Sequence, residues 1–90
     1  MNNPTPSKDD VRNLLVRLLH EIAKIPVDKI HNASRVDAEL QMQSVVFIEI
    51  QVALEDAYEV ALDPVVLVEL NEFGAIVDYI YDTLLDTHSA

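Results

Sequence analysis

Three observations predict an all-α fold, a small four-helix bundle of three longer helices and one short one. Apolar residues recur at helical spacing in three separate stretches, at 11–25, 47–58 and 73–84. The one strand-like run, V-V-L-V-E-L at 65–70, has no second run to pair with. The 90 residues contain one glycine and no cysteine, so the core is held by packing without disulfides. Ninety residues make one domain. Its expected division is a disordered tail at 1–6, the bundle at 7–86 and a loose tail at 87–90.

The first helix is the most regular. Ser7-Lys8-Asp9-Asp10 is a capping signature, with acids at the positive end of the dipole. Val11, Leu14, Leu15, Leu18, Leu19, Ile22 and Ile25 form one face, and Arg12, Arg17, His20, Glu21 and Lys24 the other. Arg17 and Glu21 are spaced to pair, and Pro26 is expected to end the helix. Residues 27–42 lack a period, but Ile30, Val36 and Leu40 could pin them to the core as a long loop. Asn32-Ala33-Ser34 matches a glycosylation sequon and is read as chance, because no secretion signal precedes it.

Residues 40–58 read L-Q-M-Q-S-V-V-F-I-E-I-Q-V-A-L-E-D-A-Y, a helix starting at or next to Ser44. Phe47, Ile50, Leu54 and Tyr58 suit a core. Val45, Ile48, Val52 and Glu55 recur on another side, with Glu49 and Asp56 beside them. A surface helix burying one stripe is usually polar elsewhere, so the second apolar strip calls for a use. Pro64 follows a break, and 65–70 is read as a short helix. Asn71 is placed as the cap of the last helix, which buries Phe73, Ile76, Val77, Ile80 and Leu84. Asp78, Asp82 and Asp86 line its outer side as a solvated row.

Charge is divided unevenly. The net charge is −10, all six basic residues lie in the first 35 positions, and residues 36–90 carry twelve acids. Such a field disfavours nucleic acid and favours basic protein surfaces, although a merely soluble acidic surface would look the same. No apolar run reaches membrane-span length, and the polar N-terminus does not resemble a signal peptide, so the expectation is a cytoplasmic protein.

The chemistry-bearing residues are sparse. His20, His31 and His88 share no ligand spacing, no calcium loop occurs, and no metal site is expected. A single glycine, Gly74, rules out a phosphate-cradling loop. Ser44 lacks a G-x-S-x-G elbow and a histidine placed to activate it, which argues against a hydrolase. The expectation is no enzyme. Ser44 keeps two readings: a helix N-cap with an incomplete box, since Phe47 stands three residues on, or a phosphoester site at a helix N-terminus.

Leu40-Gln41-Met42-Gln43-Ser44-Val45, Glu49-Ile50, Ala53-Leu54-Glu55-Asp56 and Tyr58 resemble the acyl carrier protein family's L-G-x-D-S-L, E-L, A-L-E and following aromatic. The similarity continues through residues 60–62 and Leu70 to Gly74-Ala75-Ile76-Val77-Asp78-Tyr79-Ile80, and upstream to Asn32-Ala33-Ser34-Arg35-Val36. The resemblance implies a four-helix carrier with covalent 4′-phosphopantetheine on Ser44, holding acyl or aminoacyl groups as thioesters. It implies docking through Val45, Ile48, Glu49, Val52, Glu55 and Asp56. The partners it implies are a phosphopantetheinyl transferase, an acyl-loading ligase or synthase, and acyltransferases with basic surfaces. It suggests a stand-alone monomer serving fatty-acid, polyketide or other secondary-metabolite biosynthesis. Gln41 and Gln43 depart from the family's Gly and Asp, Val46 replaces a usually polar residue, and 65–70 is unusually apolar. These departures suggest a specialised member. They also keep open a second reading, an unmodified carrier-like adaptor that acts only by protein–protein binding.

Overall fold

The computed structural model describes residues 6–36 and 44–88. Helix α1 spans Lys8–Glu21, α2 Ser44–Tyr58, α3 Pro64–Leu70 and α4 Phe73–His88, with one 3₁₀ turn at Val27–Lys29. Three longer helices and one short one, with no strand among the described residues, is the architecture that apolar spacing predicts. An isolated bridge between Arg35 and Glu72 ties the first connection to the α3–α4 turn.

Helix α1 opens as its sequence dictates. Ser7 Oγ accepts the Asp10 N–H at 3.1 Å, and the Asp10 carboxylate accepts the Ser7 N–H at 3.1 Å, a reciprocal capping box. The helix ends at Glu21, earlier than Pro26. Lys24 takes a left-handed φ of 61°, and the chain folds back to bury Ile25. Ile25 thus joins the core from outside the helix, which explains why its spacing fits the helical face. His20 Nδ1 lies 3.0 Å from the Ile25 carbonyl, which can only accept, so Nδ1 carries the proton that closes this turn. Arg17 Nε pairs with Glu21 at 3.5 Å, as its spacing predicts, but both side chains are solvated.

The core contains Val11, Leu15 and Leu19 of α1, Ile50 and Leu54 of α2, Leu67 of α3, and Phe73, Ile76, Val77, Ile80 and Leu84 of α4. Ile30 and Val36 are buried from the first connection, as expected, whereas Leu40 lies outside the described residues. Each such side chain contributes roughly 1.5–3 kcal/mol by leaving water. Phe47 and Tyr58 are only half-buried at the edge of this core. Burial pushes the Tyr58 phenol above its usual range, and the nearby Asp10 charge adds to this. The end of α2 therefore lies beside the start of α1.

Two assignments at the C-terminal half need correction. Asn71 closes α3 instead of capping α4: it adopts φ 50°, ψ 14°, and its N–H reaches back to the Leu67 carbonyl at 3.5 Å. Asparagine suits either end of a helix, so only backbone geometry separates the two roles. The tail expected at 87–90 is helical through His88, because α4 runs on past Leu84. The start of α3 is a clean example of local chemistry: Asp63 Oδ1 accepts the Val65 N–H at 2.9 Å and Pro64 occupies the first turn.

Lys8 and Asp78 pair at 2.8 Å, and the Lys8 ammonium lies 5.6 Å from the Tyr81 ring centre. One member of the acidic row on α4 is thus matched by α1. The hydrogen bond and charge of Asp78 raise the Lys8 pKa, so the pair is intact below the ordinary lysine range and is lost as pH climbs through the raised value.

Gly74 sets how closely the first connection approaches α4. Its N–H donates to the Asn32 carbonyl at 2.8 Å, and an added Cβ would stand 3.0 Å from that oxygen and 3.2 Å from Asn32 Cβ. The same loop is fastened by Phe73 N–H to Ser34 O at 2.9 Å and Val36 N–H to Asn71 O at 3.1 Å, so Asn32 has little room to retreat. Gly74→Ala should therefore destabilise the domain by about 1 kcal/mol, despite alanine's better helix propensity. A thermal melt of the variant at or above the wild-type midpoint would show that the loop yields.

Ser34 is buried, at 1 % exposure. Its hydroxyl donates to the Lys29 carbonyl at 3.0 Å and accepts the His31 N–H at 2.8 Å. The serine of the Asn32-Ala33-Ser34 sequon is thus a structural pin of the loop.

Candidate functional site

Helix α2 divides its side chains between two environments. Ile50 and Leu54 face the core, while Val45, Ile48 and Val52 are 60 %, 55 % and 48 % exposed. The second apolar strip expected from spacing is therefore present in solvent. Glu49 and Asp56 are exposed beside it. Glu55 differs from the other members of the set: it is half-buried, and its Oε2 accepts the Leu62 N–H at 2.9 Å. Its carboxylate therefore has a structural duty in the α2–α3 connection.

Exposed apolar side chains also occur on α3. Val65 and Val68 on α3 are both 61 % exposed, and with Pro64 and Glu69 they line a shallow apolar depression. The run 65–70 therefore buries Leu67 and leaves two valines in water. Its β-branched composition conceals this division, because a short helix offers too few turns for a clear period. No Lys or Arg occurs after Arg35, so every charge on α2 and α3 is negative.

Ser44 is the first residue of α2. The leading N–H groups of a helix lack intrahelical partners and sit at the positive end of its dipole. The first turn of α2 carries no acidic side chain to oppose an anion there. A phosphodiester on this serine fits both features. Gln41 and Gln43, where the sequence departs from the family pattern, lie outside the described residues.

Between the helices lies a small apolar cavity of about 20 Å³. Leu15, Leu19, Ile50, Leu54, Phe73 and Ile76 contribute to its wall, with Gln51 as its polar member. The Gln51 amide Nε2 donates to the Leu62 carbonyl at 3.2 Å. Sequence reasoning passes over Gln51; the available signal is the lone amide side chain of α2, one turn before Glu55.

Among the described residues no group of three or more His, Asp or Glu side chains assembles a metal site. His20 lies in the last turn of α1 and His31 in the first connection. No described helix is long and apolar enough to cross a membrane.

The described residues thus form a small helical bundle whose second helix opens on a serine and displays an acid-edged apolar strip. The family model for the phosphopantetheine attachment site matches residues 13–80, and the chain belongs to that family of carrier proteins. Its cofactor is covalent 4′-phosphopantetheine, whose thiol supplies the thioester chemistry. Carriers of this family meet phosphopantetheinyl transferases and synthases. No curated protein matches the chain.

Proposed function

We propose that this chain is a stand-alone carrier, not itself an enzyme, with 4′-phosphopantetheine on Ser44. It carries acyl or aminoacyl groups between the enzymes of a fatty-acid, polyketide or other secondary-metabolite route. The observation that carries the reading is the juxtaposition on α2: a serine at the helix start, followed by an exposed strip of Val45, Ile48 and Val52 edged by Glu49 and Asp56. The serine hydroxyl is the attachment atom. The helix N-terminus stabilises the phosphodiester, and the strip gives a visiting enzyme an apolar footing beside the arm. Carboxylates at the rim steer basic surfaces and orient them. Glu55 supports this surface from below through Leu62 and contributes less charge to it.

Docking through the strip has a direct test. Val52→Arg puts a cation against a basic partner and removes apolar area. The KM of a broad-specificity phosphopantetheinyl transferase for the carrier should rise about tenfold, roughly 1.4 kcal/mol, with kcat little changed. An unchanged KM would remove the strip from the docking surface. The wild-type KM should also rise with salt, because exposed charge pairs are screened.

A further inference from the structure

Three consecutive helix-connecting interactions hold the loop between α2 and α3. Gln51 Nε2 donates to Leu62 O at 3.2 Å, Glu55 Oε2 accepts Leu62 N–H at 2.9 Å, and Tyr79 Oη accepts Asp63 N–H at 3.1 Å. The first two come from α2 and the third from α4. Both main-chain groups of Leu62 are thus gripped by one helix, and the next amide by another. Leu62 itself is buried. The loop therefore fixes the separation of α2 from α3 and α4 at this end of the bundle.

The cavity that these helices enclose measures about 20 Å³. That is a water-sized space, whereas an apolar cavity that takes benzene has roughly 150 Å³. An alkyl chain cannot enter unless α2 moves away from its neighbours. Movement would break the two part-buried bonds to Leu62, which are costly to leave unpaired, and the exposed bond from Asp63 to Tyr79. Gln51 belongs to both features, as cavity wall and as clamp.

We propose that Gln51, Glu55 and Tyr79 form a clamp on Leu62-Asp63 that keeps the core closed, so that this carrier holds its thioester cargo outside the bundle. Gln51 and Tyr79 are positioning residues in this scheme. The inference rests on the carrier reading and adds to it where the cargo travels.

The test compares wild type with Gln51→Ala/Tyr79→Phe and with Tyr79→Phe alone. Tyr79 does not line the cavity, so the single variant loosens the clamp without altering the wall. Each protein is loaded with octanoyl-phosphopantetheine by a broad-specificity transferase, and its intact mass is recorded first. Methyl NMR spectra of Ile50, Leu54, Leu67 and Ile76 are then compared with those of the unacylated arm. In wild type the four methyl sets should stay in place. They should shift in the double variant, and by less in Tyr79→Phe, which also stands in if the double variant does not fold. A shift in octanoyl wild type, or none in either folded variant, overturns the proposal. The same spectra are recorded for the unmodified proteins with free octanoate, where only the variants should respond. Failure to gain mass would count against the carrier reading, and the octanoate series would still decide whether the core is closed.

Discussion

Ser44→Ala should abolish covalent modification outright. Co-expressed with a broad-specificity phosphopantetheinyl transferase, the wild-type chain should gain the mass of one phosphopantetheinyl group and the variant none. The other described serines are poor substitutes for physical reasons. The Ser7 hydroxyl caps α1, and the Ser34 hydroxyl is buried with both its donor and an acceptor position engaged. Ser34→Ala is therefore the informative control: it should lower stability by about 1–3 kcal/mol, through the two lost bonds, yet keep the full mass gain. Equal gain in wild type and Ser44→Ala would move the attachment elsewhere. No gain in wild type would favour the unmodified adaptor and point to the Gln41 and Gln43 departures. In that case partner binding should tolerate Ser44→Ala and still weaken with Val52→Arg.

What could be read from the sequence follows the range of the interaction involved. The α1 capping box lies within four residues, and the buried face of α4 repeats over three turns, so both are legible. The two faces of α2 separate for the same reason: fifteen residues are long enough for spacing to assign Ile50 and Leu54 inward and Val45, Ile48 and Val52 outward. Helix α3 is harder, because seven residues cannot establish a period. Its start was nevertheless written in Asp63-Pro64, a cap followed by a first-turn proline, which reads as a break when only the proline is weighed. Asn71 was ambiguous because an asparagine near a helix boundary suits an N-cap and a left-handed C-cap alike. The Leu62 clamp lies beyond local reading altogether, since it joins residues 51, 55, 62, 63 and 79. Glu55 shows the consequence. Spacing groups it with the docking strip, and the fold turns its carboxylate toward a main-chain amide.

Phe73→Ala should be the most damaging single change to the fold. The ring is 1 % exposed and forms part of the cavity wall, where α4 meets the rest of the core. Truncating a buried phenylalanine costs about 3–5 kcal/mol, from lost burial and from the void left behind. The Arg12 guanidinium lies 5.4 Å from the ring centre and would lose that contact, though its Nε bond to Asn32 Oδ1 at 3.2 Å would remain. A domain of this length has a total stability of only roughly 5–13 kcal/mol. The substitution therefore removes roughly a quarter or more of what holds the bundle together, and the urea midpoint followed by far-ultraviolet circular dichroism should fall by more than about 1 M. Val68→Ala makes the contrasting case on α3: its side chain is already in water, and the change should stay within about 0.5 kcal/mol. If the two variants unfold at similar urea concentrations, Phe73 is not the keystone of this core. If they separate as expected, the stability of the bundle rests on the buried ring of Phe73 and not on the exposed Val68 side chain.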